Sequence, residues 1–171
     1  MKNVENTIQI AGVVKESIVD GPGLRFVVFA QGCPHHCEGC HNPATHDFNG
    51  GYACELETIT NAIDKDPILS GVTFSGGEPF HQAEAFYSLA LKLKDKELNL
   101  LSFSGYTYEE LVSKGKKNEY VLKLLNLLDL LIDGRFILEE RDLTLNFKGS
   151  RNQRFIDLNQ TRETGKIVEI S

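Results

Sequence analysis

Apolar residues fall along this chain in short runs, separated by segments rich in glycine and polar residues. Arg25 to Ala30 (RFVVFA) is a nearly unbroken apolar run that ends at Gln31-Gly32, and it reads as a buried strand. Ile8 to Val14, Gly71 to Phe74, Leu100 to Phe103 and Leu130 to Ile132 read as further strands, with two more expected at Phe155 to Leu158 and Ile167 to Ile170. Glu55 to Ile63, Gln82 to Leu93 and Tyr108 to Leu127 read as helices, the last in one or two pieces with Gly115 as the point of division if there are two. Before the first buried strand stands Asp20-Gly21-Pro22-Gly23, where proline presets a bend and Gly23 takes the positive φ of a type II turn.

The recurring order is strand, loop, helix, which argues for a parallel α/β architecture. Glycine and polar residues gather just after several strands, where such folds build their sites. A complete eight-unit barrel takes about 250 residues. With 171 residues the chain is expected to be a single domain over residues 1–171, an incomplete TIM-like β/α barrel with mostly parallel strands.

Composition narrows the class without naming a function. Hydrophobic residues make up 41% and charged residues 25%, as in an ordinary globular protein. The net charge of −6, with no dense run of Lys or Arg, gives no electrostatic footprint for nucleic acid or an anionic membrane, so neither is expected as a partner. Met1 to Lys15 has scattered charges and no apolar stretch of the secretory type. The apolar cluster Leu122 to Ile132 is short and interrupted by Lys123, Asn126 and Asp129. A cytoplasmic location is the expectation.

Cysteine placement changes the picture. Three of the four cysteines fall within eight residues, at Cys33, Cys37 and Cys40. Disulfide scaffolds spread their cysteines to close loops, whereas a tight trio reads as a metal or cluster site. An iron–sulfur cubane would be wrapped by one loop with Gly32 and Gly39 relieving crowding, and three thiolates would leave one iron open. Two other readings stand at this level. One is a structural zinc site completed by His41 or His36, and the other is a disulfide pair with a spare thiol. Cys54, 14 positions beyond Cys40, is expected to be a small, partly buried residue rather than a ligand.

Other strand ends carry candidate chemistry. Ser75-Gly76-Gly77-Glu78-Pro79 is either a turn or bare backbone that a ligand can approach closely. Ser104-Gly105-Tyr106 divides between ligand contact and plain turn. Asp133-Gly134-Arg135 sets a carboxylate and a cation at a strand end, as a surface ion pair or as contacts to a cofactor's polar groups. Asn152 and Gln153, within Ser150 to Arg154, would bind a partner's backbone or satisfy a turn. His35, His36, His46 and His81 have no assigned role, and His35 and His36 are expected only to shape the cysteine loop.

The C-x3-C-x2-C spacing resembles the signature of the radical S-adenosylmethionine superfamily. Its flanks, Asp20-Gly21-Pro22-Gly23-Leu24-Arg25, Gln31-Gly32-Cys33 and Cys40-His41-Asn42, resemble the glycyl-radical-enzyme activases of that superfamily. Cys33-Pro34-His35-His36-Cys37 and Gly39-Cys40-His41-Asn42-Pro43 are most similar to the activases of anaerobic ribonucleoside-triphosphate reductases, and the likeness runs from about Ile18 to Asp157. Ser104 stands where those proteins have Thr, and Arg151 where Ser is common.

The resemblance implies an oxidoreductase with one 4Fe-4S cluster on Cys33, Cys37 and Cys40, and S-adenosyl-L-methionine as its second cofactor. Cluster and cofactor would carry the chemistry, with no side chain catalytic in itself. Contacts to the cofactor would come from Gly39, Cys40, His41, Gly76, Gly77, Glu78, Ser104, Asp133 and Arg135. The implied partners are the large subunit of the anaerobic ribonucleoside-triphosphate reductase, as the acceptor of a glycyl radical, and reduced flavodoxin or a similar electron donor. Competing readings are a pyruvate formate-lyase-type activase, a small-molecule enzyme like 7-carboxy-7-deazaguanine synthase and, outside enzymes, a zinc-stabilised binding module.

Overall fold

The computed structural model describes residues 6–171, so the first five residues of the leader reading lie outside the described residues. Seven strands form one mixed sheet in the order β3-β1-β2-β4-β5-β6-β7. They are β1 (Thr7–Ser17), β2 (Arg25–Ala30), β3 (Tyr52–Glu55), β4 (Gly71–Gly76), β5 (Asn99–Phe103), β6 (Leu130–Asp133) and β7 (Arg154–Asp157). The central four, β2, β4, β5 and β6, run parallel. β1 lies antiparallel to both β2 and β3, and β7 lies antiparallel to β6. The sheet does not close on itself, since β3 and β7 are its two edges.

Five helices accompany it: α1 (Leu56–Asp64), α2 (Ala83–Lys94), α3 (Tyr108–Gly115), α4 (Glu119–Leu127) and α5 (Leu158–Thr164). The period-2 alternation of a strand sorts the sheet's residues between two faces. Phe26, Val28, Val72, Phe74, Leu100 and Leu131 join the main core with Phe86, Leu89 and Leu124 of the helices. Leu101, Leu130, Ile132 and Phe155 form a smaller cluster of their own. Burial on both faces explains why the central strands read as unbroken apolar runs.

Arg25 starts β2 and is 1% exposed. Its guanidinium donates to Thr73 Oγ1, to the carbonyls of Pro22, Val72 and Asn99, and to Asn99 Oδ1. Burial pushes its pKa down to about 10, against the opposing charge of Asp129. Arg25 therefore pins the Asp20–Gly23 turn to the N-terminal ends of the parallel strands, opposite the end that bears the cysteines.

Three sequence expectations change. Ile167 to Ile170 is not a strand; it meets β7 at one isolated bridge, Ile156 to Glu169, because the chain turns at Gly165 and runs out beside the edge. β3 was not expected, since its four residues are mostly exposed and owe their extended form to pairing with β1. α5 was also missed, being polar apart from Leu158, although Asp157 caps it by accepting from Gln160 N. Of the two alternatives for Tyr108 to Leu127, the two-piece one is realised: a Cβ on Gly115 would come within 2.9 Å of Leu122 Cβ, so its absence lets α4 fold back onto α3.

Candidate cluster site

The candidate residues converge at the C-terminal ends of the four parallel strands. β2 runs into the cysteine loop, β4 into Gly76-Gly77-Glu78, β5 into Ser104-Gly105 and β6 into Asp133-Gly134-Arg135. The cysteine loop closes back on its own start. Gly32 N donates to Thr45 O at 2.7 Å and Cys33 N to His46 O at 3.2 Å. The buried Gln31 amide donates to the carbonyls of Ala44 and Asp47. Cys33 is buried, and Cys37 and Cys40 are half-buried, all three as free thiols.

Burial pushes the Cys33 thiol up, and the backbone N–H groups of His35 and His36 oppose it. Burial likewise pushes the Cys37 thiol up, opposed by the N–H of Phe136. Asn42 N donates to Cys40 Sγ at 3.5 Å. Phe136 and Leu138 cover Gly39, where a Cβ would come within 2.8 Å of Leu138, and the His41 ring lies 5.6 Å from that of Phe136. Among the described residues no three His, Cys, Asp or Glu side chains are grouped to hold a single metal ion. A cluster spreads its thiolates over several irons instead. The donor set, three free thiols in one loop with an amide hydrogen on the Cys40 sulfur, fits that group.

The double glycine stitches β4 to the loop. Gly77 N donates to Ala30 O at 2.8 Å and Glu78 N to Gly32 O at 2.9 Å. A Cβ on Gly77 would lie 2.3 Å from Gly32 O, and one on Gly76, whose φ is +91°, would lie 2.6 Å from Ala30 N and O. Both contacts are with backbone, so only glycine allows this approach.

Glu78 is 0% exposed, and its carboxylate is fully engaged by protein. Oε1 accepts from Ser104 Oγ (2.7 Å) and Gly105 N (2.9 Å) and lies 2.8 Å from His35 Nε2. Oε2 accepts from Phe80 N at 3.2 Å. Glu78 thus gathers the strand ends and the cysteine loop, and Ser104 spends its hydroxyl proton on it.

Asp133 is 1% exposed and turns sideways, accepting from Tyr108 N at the start of α3 and from Arg154. Arg154 also pairs with Glu109, and those two carboxylates hold its pKa above the usual arginine value. Arg135 faces the loop, its Nε donating to His35 Nδ1 at 3.2 Å. A cavity of about 380 Å³ opens here, lined by Cys37, Gly105, Asp133, Gly134, Arg135 and Phe136 among others. A larger one, about 1000 Å³, lies between β1, β3 and α1, with Cys54 in its wall and none of the other candidate residues.

The amides of Asn152 and Gln153 are spent internally. Asn152 Nδ2 donates to Arg135 O and Gln153 Nε2 to Gly134 O. Gln153 Oε1 accepts from Gly149 N and Ser150 N. The pair clamps both ends of the connection whose Phe136 and Leu138 lie over the cysteine loop. Sequence reasoning gave His35 a part in shaping the cysteine loop without its partner, and missed Arg154 and Phe136. Their partners lie far along the chain, 43 residues away for His35 and Glu78, and no local signal marks them.

An open α/β sheet with a three-cysteine loop at its C-terminal rim defines an iron–sulfur protein, and a family described as "4Fe-4S single cluster domain" matches residues 19–156. An anaerobic ribonucleoside-triphosphate reductase-activating protein of Vibrio cholerae is 37% identical, over 80% of this chain and 89% of the relative. Relatives of the same name from Salmonella typhi and Haemophilus influenzae are 33% and 31% identical, over 80% of this chain and 90% and 89% of their own. The chain belongs to the family of anaerobic ribonucleoside-triphosphate reductase-activating proteins.

Proposed function

We propose that this chain is a radical S-adenosylmethionine activase that installs a glycyl radical on an anaerobic ribonucleoside-triphosphate reductase. The observation that carries the reading is the set of three free thiols in one loop at the C-terminal ends of the parallel strands, with Asn42 N donating to Cys40 Sγ. Hydrogen bonds to ligand sulfur are among the levers by which a protein tunes an iron–sulfur cluster.

Cys33, Cys37 and Cys40 would hold a 4Fe-4S cluster with one iron open to S-adenosylmethionine. Together these groups supply one-electron reductive cleavage of the sulfonium and removal of a hydrogen atom from a glycine Cα. The chain's own part is to bind, orient and exclude water. The bare backbone at Gly76 and Gly77 would let an ammonium group approach closely. Arg135 offers a cation at the mouth of the cavity, and Gly39 and His41 lie beside the cover formed by Phe136. Glu78, Ser104 and Asp133 serve as the frame, since their polar atoms are engaged by protein.

We read the open sheet as a partial barrel. Its four parallel strands are half the eight of a complete one, and the chain forms a single radical S-adenosylmethionine domain. The open rim would admit a glycine-bearing loop of the reductase. A reduced flavodoxin or similar protein would supply the electron, in the cytoplasm; among the described residues no helix is long and apolar enough to cross a membrane.

The test is anaerobic reconstitution with iron and sulfide, addition of dithionite and S-adenosylmethionine, and quantification of 5′-deoxyadenosine. Cys33→Ala, Cys37→Ala and Cys40→Ala should each abolish the product, while Cys54→Ala should leave it. A fully loaded wild type that yields none would sink the assignment. With the reductase added, a glycyl radical should appear in the electron paramagnetic resonance spectrum.

A further inference from the structure

His35 stands in the middle of the cysteine loop, yet its side chain is only 4% exposed. It is held from several directions by residues of other strand ends. Nε2 lies 2.8 Å from Glu78 Oε1, and Arg135 Nε donates to Nδ1 at 3.2 Å. A guanidinium can only donate, so Nδ1 is an acceptor and the ring proton sits on Nε2, pointing at the carboxylate. The ring edge meets Tyr106 at 4.5 Å between centroids. Room for the ring exists because residue 105 is glycine; a Cβ there would lie 2.4 Å from the imidazole. With one nitrogen accepting and the other donating, the ring keeps no lone pair for a metal.

The backbone beside this ring bends unusually. His36 has φ of 50°, a left-handed conformation for a residue with a side chain, and the N–H groups of His35 and His36 oppose the burial that pushes the Cys33 thiol up. Such a bend persists when its surroundings over-determine it.

We propose that His35 is a positioning residue, whose imidazole latches the cysteine loop to Glu78 and thereby holds the Pro34–His36 turn beside Cys33. The consequence for a cluster rests on the proposed function, and the latch itself does not. Amide hydrogens directed at a ligand thiolate stabilise the reduced, more negative form of a cluster, so their loss lowers its potential.

The first arm needs no cofactor. Hydrogen–deuterium exchange is measured on the full-length, iron-free chain as wild type, His35→Ala and His35→Gln. Glutamine keeps an N–H near the Nε2 position. The peptide spanning residues 33–40 should exchange about tenfold or more faster in the alanine variant, while α2 is unchanged and glutamine restores most of the protection. Unchanged exchange in that peptide, or equal acceleration everywhere, would overturn the latch. The second arm is a redox titration of the reconstituted proteins. His35→Ala should titrate at a more negative potential than wild type, with His35→Gln closer to wild type; equal potentials in all three would refute the link to Cys33. If wild type takes up no cluster, the proposed function fails, and the exchange arm still decides the latch.

Discussion

A carboxylate taken fully out of water needs donors for its lone pairs, and Glu78 has them from the cysteine loop, from β5 and from its own turn. Its charge is therefore spent on assembling the rim. Glu78→Gln keeps one acceptor oxygen but turns an NH2 toward either Phe80 N or the Ser104–Gly105 donors. One buried donor then loses its partner, at a cost of about 1–3 kcal/mol. The expected outcome is a lower urea midpoint with an unchanged slope. A midpoint equal to wild type would show that Glu78 is free for other work.

Among the elements, the connection from β6 to β7 depends most on side chains for its shape. It is about twenty residues long and holds only a short 3-10 turn, Leu138–Glu140, and one bridge, Arg141 to Ser150. Gln153 fastens it through three hydrogen bonds. Gln153→Ala should speed tryptic cleavage at Arg141 and Lys148 several-fold while costing only about 1–2 kcal/mol in overall stability. Digestion at the wild-type rate would refute the clamp.

The same connection shows what the sequence could reveal. Buried parallel strands, such as Arg25–Ala30 and Gly71–Gly76, were legible because burial on both faces writes itself as an apolar run. The cysteine trio was legible because its members lie within eight residues, and the double glycine because two bare residues after a strand stand out, although the backbone they pack against, at Ala30 and Gly32, lies far along the chain. His35 with Glu78 and Arg154 with Asp133 and Glu109 were not, because a hydrogen bond across strand ends leaves no periodicity. β3 escaped for a related reason: an edge strand of Tyr-Ala-Cys-Glu is extended only because β1 lies beside it.

At the scale of the molecule, two charged side chains, one buried and one half-buried, tie layers together at the end of the sheet away from the cysteines. Arg25 is one. The other is Asp129, which accepts from Lys94 at the end of α2, from Leu100 N in β5 and from Asn159 in α5. Burial pushes the Asp129 carboxyl up, but Lys94 and the other donors outweigh it, and the net shift is downward. A carboxyl depressed in the folded state adds stability above its unfolded pKa, and that stability is lost as pH falls through the folded one. Asp129→Asn should therefore cost about 1–3 kcal/mol at pH 7 and progressively less toward pH 3. Urea melts at both values check this, and a cost independent of pH would contradict it.

Gly77 and Gly105 differ in what a second mutation could repair. Neither needs a left-handed backbone; each is glycine because something stands where a Cβ would go. At Gly105 the obstacle is an imidazole, which a smaller residue at position 35 would remove. At Gly77 it is the carbonyl of Gly32, which no substitution can trim. The first position is thus open to paired change, in which one replacement licenses another. The second has no compensating route through sequence space, and drift around this rim must pass it by.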